Sequence, residues 1–223
     1  MVNLRVDLHV HSCYSPDAIS KPETIVRVAK RRGIDVVAIT DHNRVDAWEE
    51  MRVASRRWDI SVVLGEEVRV WESGLPVGEL VCLFLREPIK PGSLADVMRQ
   101  VREQGALAAV AHPFSFRRFA FRRLDLLDGY KDLLIEVRNG RTYSSRANRK
   151  ALELALRSAR GITAGSDAHL PAEIGSVWLE VEASDVASLR QALMEGRGRM
   201  AGNPSHPAYS LFSGVLGRLG FRM

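Results

Sequence analysis

Short apolar runs alternate with amphipathic stretches along most of this chain, and the apolar runs repeatedly end in a turn that carries a histidine or an acid. The periodicity predicts strands at 5–10, 36–40, 61–70, 80–85, 107–111, 133–137, 162–164 and 177–181, and helices at 22–32, 45–57, 94–104, 145–159 and 185–195. Pro22 suits a first helical turn and Gly33 a stop. Strands alternating with helices argue for an α/β fold on a parallel sheet, and about seven such units in this length favour a closed ring over an open sheet. The polar motifs favour a ring as well. They sit where at least five different strands hand over to their loops, whereas a doubly wound sheet would gather its site mainly at one switch point. No glycine-rich phosphate loop follows the first strand, so a nucleotide-cofactor domain has no support.

Five of the six histidines lie in those motifs: Asp7-Leu8-His9-Val10-His11, Thr40-Asp41-His42-Asn43, Ala111-His112-Pro113 and Gly165-Ser166-Asp167-Ala168-His169. Residues two apart on a strand project from one face, so His9 and His11 can grip one ion, and Asp167 with His169 repeats the spacing. A single pair would be read as hydrogen-bonded core histidines. Two pairs, with His42 and His112 at other strand ends, point to a metal site, since imidazole and carboxylate are the usual ligands of zinc, manganese and iron.

The chain has 223 residues, 46% of them hydrophobic, enough for one sizeable core, and a single barrel domain over 1–223 is expected. The net charge of +5 fits an anionic substrate without implying nucleic-acid binding. Arg117, Arg118, Arg122 and Arg123, interleaved with Phe116, Phe119 and Phe121, read first as a solvated loop over an apolar anchor and second as a stacking platform for single strands. Cys13 and Cys82 match no paired-thiol spacing. No signal-peptide pattern or membrane-length apolar run is present, so a cytoplasmic protein without membrane contact is expected.

The motifs quoted above, together with Ser15-Pro16-Asp17 and Gly65-Glu66-Glu67, resemble the PHP superfamily, named for polymerase and histidinol phosphatase, in the same order and over residues 5–175. The resemblance implies a distorted (β/α)7 barrel, two or three divalent ions at the carboxyl ends of its strands, and phosphoester hydrolysis. Carried onto matching positions, it implies that His9, His11, Glu67 and Asp167 hold one ion. Glu67 would bridge to a second ion that His112 also binds, and Asp17, His42 and His169 would hold the third. The ions would be zinc, manganese or iron, with magnesium admitted. One position departs. Where the family commonly has Gly-His, this chain has Gly78-Glu79. Either Glu79 coordinates and tilts preference toward manganese or magnesium, or it turns away and weakens the second site.

The expected chemistry is attack on a phosphate ester by hydroxide activated on the ions, with Glu67 bridging and Asp41 as an outer partner or proton carrier. Ser166 beside Asp167 and His169 offers triad residues, but neighbours at a strand end point apart, so no nucleophilic triad is expected. Arg138 and Asn139 after the 133–137 strand, and Arg117 and Arg118 after His112, are candidates to bind substrate phosphate or else plain surface charge. The tail at 196–223 closes the barrel or meets a partner, with His206 as a turn residue. A small phosphorylated metabolite or nucleotide is the favoured substrate. A nuclease on single-stranded ends and a non-catalytic metal-binding domain are the alternatives, and the oligomeric state is left open.

Overall fold

The computed structural model describes residues 2–116 and 119–223. In chain order the elements are β1 (Val2–Asp7), α1 (Pro22–Arg31), β2 (Val36–Ile39), α2 (Trp48–Trp58), β3 (Ser61–Glu72), β4 (Leu75–Leu83), α3 (Leu94–Glu103), β5 (Leu107–Val110), a 3-10 turn (Leu124–Gly129), β6 (Leu134–Asn139), α4 (Ser145–Arg157), β7 (Ile162–Gly165), β8 (Val177–Ala183), α5 (Val186–Met194), β9 (Arg199–Gly202) and α6 (Ala208–Arg218). The described strands form one sheet in the order β7-β6-β5-β4-β3-β2-β1-β8-β9. Beyond β1 the chain runs on beside the segment that follows β7. Leu8 N donates to Ala164 O, Asp167 N to His9 O and His11 N to Ala168 O, at 3.2, 2.7 and 2.9 Å. These bonds nearly close the sheet into the expected barrel.

The sheet is mixed, which corrects the expectation of parallel strands. β1–β2–β3 and β5–β6–β7 are parallel, while β4 runs antiparallel to both β3 and β5, and β8 antiparallel to β1. The cause is local. Glu72 pairs with Leu75, so only Ser73 and Gly74 connect β3 to β4, both at positive φ (50° and 78°). A two-residue turn of that geometry closes a tight hairpin and leaves no length for a crossover helix. The same hairpin extends β4 back to Leu75, so Glu79 lies inside a strand rather than before one.

Helix ends carry their expected chemistry. Pro22 opens α1, Ser93 Oγ accepts from Asp96 N at 3.1 Å, and Asp185 and Ser188 form a reciprocal cap at α5. The apolar faces of the helices and both faces of β2 join one contiguous core. Each fully buried Val, Leu or Ile there contributes roughly 1.5–3 kcal/mol. That rigid core holds the strand ends on which the polar motifs sit.

Candidate metal centre

At one end of the barrel, side chains from seven separate segments converge. His9 Nε2 and His11 Nε2 are 3.1 Å apart, and Asp167 Oδ1 lies 3.8 and 3.4 Å from them. Glu67 reaches into the same group, with Oε1 3.4 Å from His9 Nε2 and Oε2 3.6 Å from His11 Nε2. On its other side Glu67 Oε1 is 3.1 Å from His112 Nε2, which is 3.9 Å from Glu79 Oε2. Asp17 completes a third group, 3.5 Å from His42 Nε2 and 3.4 Å from His169 Nε2. Within each of the trios His9–His11–Asp167, His11–His42–His169 and His42–Glu67–Glu79, ligand atoms lie within 4.8 Å of one another.

The donor set fits divalent cations, and its unsatisfied atoms are the reason. Asp17 Oδ1, His42 Nδ1, Glu67 Oε2 and His169 Nε2 are buried without a hydrogen-bond partner. His42 Nδ1 and Glu67 Oε2 are only 2.8 Å apart yet not aligned to bond each other. Each such atom costs about 1–3 kcal/mol, which a shared cation would offset. Electrostatics agree. Burial pushes the Glu67 and Asp17 carboxyls up, but adjacent imidazoles, His9 and His42 for Glu67 and His169 for Asp17, outweigh it and hold both below the usual carboxylate range.

A layer of buried groups beneath the ligands sets their orientation. Glu136 Oε1 lies 2.8 Å from His9 Nδ1 and Oε2 accepts from His112 N at 2.6 Å. His169 Nδ1 is 2.8 Å from the Asp167 carbonyl, and His11 Nδ1 is 3.3 Å from Ser15 Oγ. In all three rings Nδ1 is engaged below, which leaves Nε2 as the nitrogen that would offer a lone pair to a cation once the ring is neutral. Asp7 ties the end of β1 to the 165–169 turn, accepting from Ser166 N, Ser166 Oγ and Gly175 N at 2.8, 2.6 and 2.8 Å; burial pushes its carboxyl up to about 6 against those bonds. Ser166 thus faces Asp7 and not His169, which leaves no triad. Gly165 permits the close approach, since a Cβ there would lie 2.5 Å from His9 N. Asp167 and His112 hold positive φ (52° and 30°), backbone strain located at two ligand positions.

Several expected residues take other places. Asp41 does not face the cavity: Oδ1 accepts from Ser12 N and Ser15 Oγ at 2.7 and 2.6 Å, and Oδ2 from Ser12 Oγ at 2.6 Å. It acts on His11 and His42 through Ser15, as an outer partner. Arg138 donates to Gly202 O at 2.5 Å and lines a separate cavity with Tyr143 and Arg149, so it does not join the site. Asn139 is fully buried, with Nδ2 3.2 Å from both Glu136 oxygens and 3.3 Å from Asp167 Oδ2, so it braces ligands instead of facing substrate. The cause is an irregularity in β6, where Glu136 pairs with Thr163 and Arg138 with Ala164. The extra residue, Val137, brings Glu136 and Asn139 to one face at a spacing of three and turns Arg138 outward. Arg117 and Arg118 lie outside the described residues.

A cavity of about 580 Å³ opens over the ligands, lined also by Asn43, Arg69, Phe119 and Arg218. Sequence reading named Phe119 within the aromatic and arginine patch and Asn43 within its motif, and missed Arg69 and Arg218. Arg69 was legible in principle, two residues beyond Glu67 on the same strand face; Arg218 carried no signal. Glu79 does border the ligand group, and its Oε1 lies 3.1 Å from Arg69 Nη2. Burial, then the charge of Glu67, pushes its carboxyl up to about 7 against His42, His112 and Arg69.

A barrel with acids and imidazoles at its strand ends defines a metal-binding α/β barrel protein. The PHP domain family pattern matches residues 7–177, and the chain belongs to that family. It is similar to an uncharacterized protein of Methanocaldococcus jannaschii, 37% identical over 50% of this chain and 69% of that protein. A probable phosphatase of Shewanella piezotolerans is 28% identical over 79% of this chain and 83% of its own length. Among solved structures, a two-domain protein of Bacteroides vulgatus, described as containing a predicted PHP-like metal-dependent phosphoesterase, superimposes with a TM-score of 0.76 at 20% identity, covering 91% of this chain. This chain spans 65% of that protein. No helix among the described residues is long and apolar enough to cross a membrane.

Proposed function

We propose that this protein is a metal-dependent phosphoesterase acting on a small phosphorylated metabolite or nucleotide. One observation carries the reading: nine imidazole and carboxylate side chains, His9, His11, Asp17, His42, Glu67, Glu79, His112, Asp167 and His169, gather beneath an open cavity, with five of their buried atoms unpartnered among the described residues. His9, His11, Glu67 and Asp167 would hold one ion, Glu67, His112 and Glu79 a second, and Asp17, His42 and His169 a third. Divalent ions at such a site neutralise phosphate oxygens and acidify a water molecule. The chain's own part is to orient and to exclude rivals. Glu136, Asn139 and Ser15 fix the rings, Glu67 sits where two ligand groups meet, and neither cysteine nor Ser166 lines the cavity to compete as a nucleophile. The similarity to a probable phosphatase supports the same reading.

A second reading, a nuclease on single-stranded ends, draws on Phe116, 92% exposed in the loop after His112, and on Phe119 in the cavity wall. Elemental analysis of protein purified without added metal, followed by assay on phosphomonoesters and on single strands, tests both. Bound divalent metal with monoester turnover is expected. Metal-bound protein inert on every ester would leave a non-catalytic domain and end the proposal.

A further inference from the structure

Two arginines line the described part of the cavity, and their circumstances differ. Arg69 is engaged, paired with Glu79 and stacked on the Phe119 ring with its guanidinium 3.6 Å from the centroid. The side chain of Arg218, in the last turn of α6, has no ion pair or hydrogen bond among the described residues. That side chain is exposed, but the helix that carries it is fastened to the walls of the site at several points. Arg141, buried in the core, donates to Ser213 Oγ at 3.0 Å and to both oxygens of Glu173, and Glu173 Oε2 accepts from His169 N and Leu170 N at 3.1 Å each. Tyr143 Oη is 2.5 Å from Ser210 Oγ. Gly217 lies so close to the Asp17 loop that a Cβ would come 2.6 Å from Pro16 O and 2.9 Å from Asp17 Cα. Beyond the helix, Met223 N donates to Ile19 O and Lys21 N to Met223 O, at 2.7 and 2.5 Å. The helix is therefore built onto the loops that carry Asp17 and His169.

We propose that Arg218 forms a phosphoryl-binding subsite of this centre, supplied by α6, which takes an oxygen of the substrate's phosphate group. The proposal rests on the phosphoesterase reading. An uncommitted guanidinium beside a bed of cation ligands can meet an anion without first breaking an ion pair, and its planar fork matches two phosphate oxygens at once. Asp17, in the loop that packs against Gly217, faces His42 and His169 instead. A last-turn arginine could also serve only the helix dipole. That role predicts a change in thermal stability alone.

The test compares the parent with Arg218→Ala and Arg218→Lys, all metal-loaded. Inorganic phosphate binding is measured by calorimetry, KM and kcat on a phosphomonoester panel, and metal content by elemental analysis. Arg218→Ala is expected to weaken phosphate binding and raise KM about 10–100-fold, with kcat changed less and metal content unchanged; Arg218→Lys should fall between. Unchanged phosphate affinity and KM in Arg218→Ala overturn the subsite. Phosphate binding that depends on Arg218 in a parent that turns over no ester upholds the subsite and overturns the activity. A parent that neither binds phosphate nor hydrolyses esters overturns both.

Discussion

The two sides of the ligand cluster are built to different standards. On the side of His9, His11, Asp167 and His169, formed where the ends of β1 and β7 meet, buried groups sit beneath the ligands: Glu136 under His9, Ser15 under His11, Asn139 beside Asp167, and Glu173 on the His169 backbone. On the side of His112 and Glu79, formed by the antiparallel strands, Glu136 holds only the His112 backbone, His112 Nδ1 has no partner among the described residues, and Glu79 divides itself between the cluster and Arg69. A braced ligand loses less freedom when it binds an ion, so the first side is predicted to hold metal more tightly.

The strongest way to break that comparison is to remove a ligand from the braced side. His9→Ala or Asp167→Ala is expected to lower turnover on the order of 10³-fold or more and to release metal, with the circular dichroism spectrum unchanged. Loss of turnover only on changing His112 would reverse the ranking of the two sides.

Next comes a stability effect beneath the weaker side. Glu66, next to Glu67 but on the opposite strand face, accepts from Ile89 N at 2.9 Å, and burial pushes its carboxyl from the usual 4.5 up to about 7. The folded state therefore holds this proton more tightly than the unfolded one. Its contribution is complete below about pH 4.5 and fades as pH rises through about 7, a loss on the order of 3 kcal/mol. Glu66→Gln keeps the acceptor and removes the titration, so denaturant melts of the variant should lose that decline between pH 5 and 8. An equal slope in parent and variant would assign the decline to other groups.

Glu136→Ala removes the brace from His9 and His112 together and is predicted to weaken metal binding 10–100-fold while every ligand remains, measured by competition with a chelator. The smallest effect is expected at the divergent position. Glu79→His should free Arg69, supply an imidazole beside His112, and shift preference toward zinc by about tenfold or less in a metal-competition assay. A variant that binds fewer ions than the parent would show that Glu79 already coordinates.

Much of this was legible before any coordinates. The five clustered histidines and Asp167 stood out because imidazoles and acids at repeated strand ends have few other uses, while Asp17, Glu67 and Glu79 came in through the family resemblance; most strands and helices followed from periodicity to within a few residues, but β9 and α6 did not. The hairpin was missed because its turn, Ser73-Gly74, depends on backbone angles that a polar stretch does not advertise. Arg138 and Asn139 were misplaced for a related reason. Alternation along a strand assumes regular pairing, and the extra residue at Val137 breaks it.

The linear order of residues determined which chemistry this protein carries, since side-chain identity alone selects for hard and borderline cations, and it determined that an α/β barrel would present them. The three-dimensional arrangement decided the rest: that Asn139 braces the cluster instead of facing substrate, that Arg138 turns away from it, and that α6 delivers Arg218 to a cavity some two hundred residues from His9 in the chain. Those choices depend on which faces pack together across the barrel, and contacts between segments so far apart are set by the shape of the whole core.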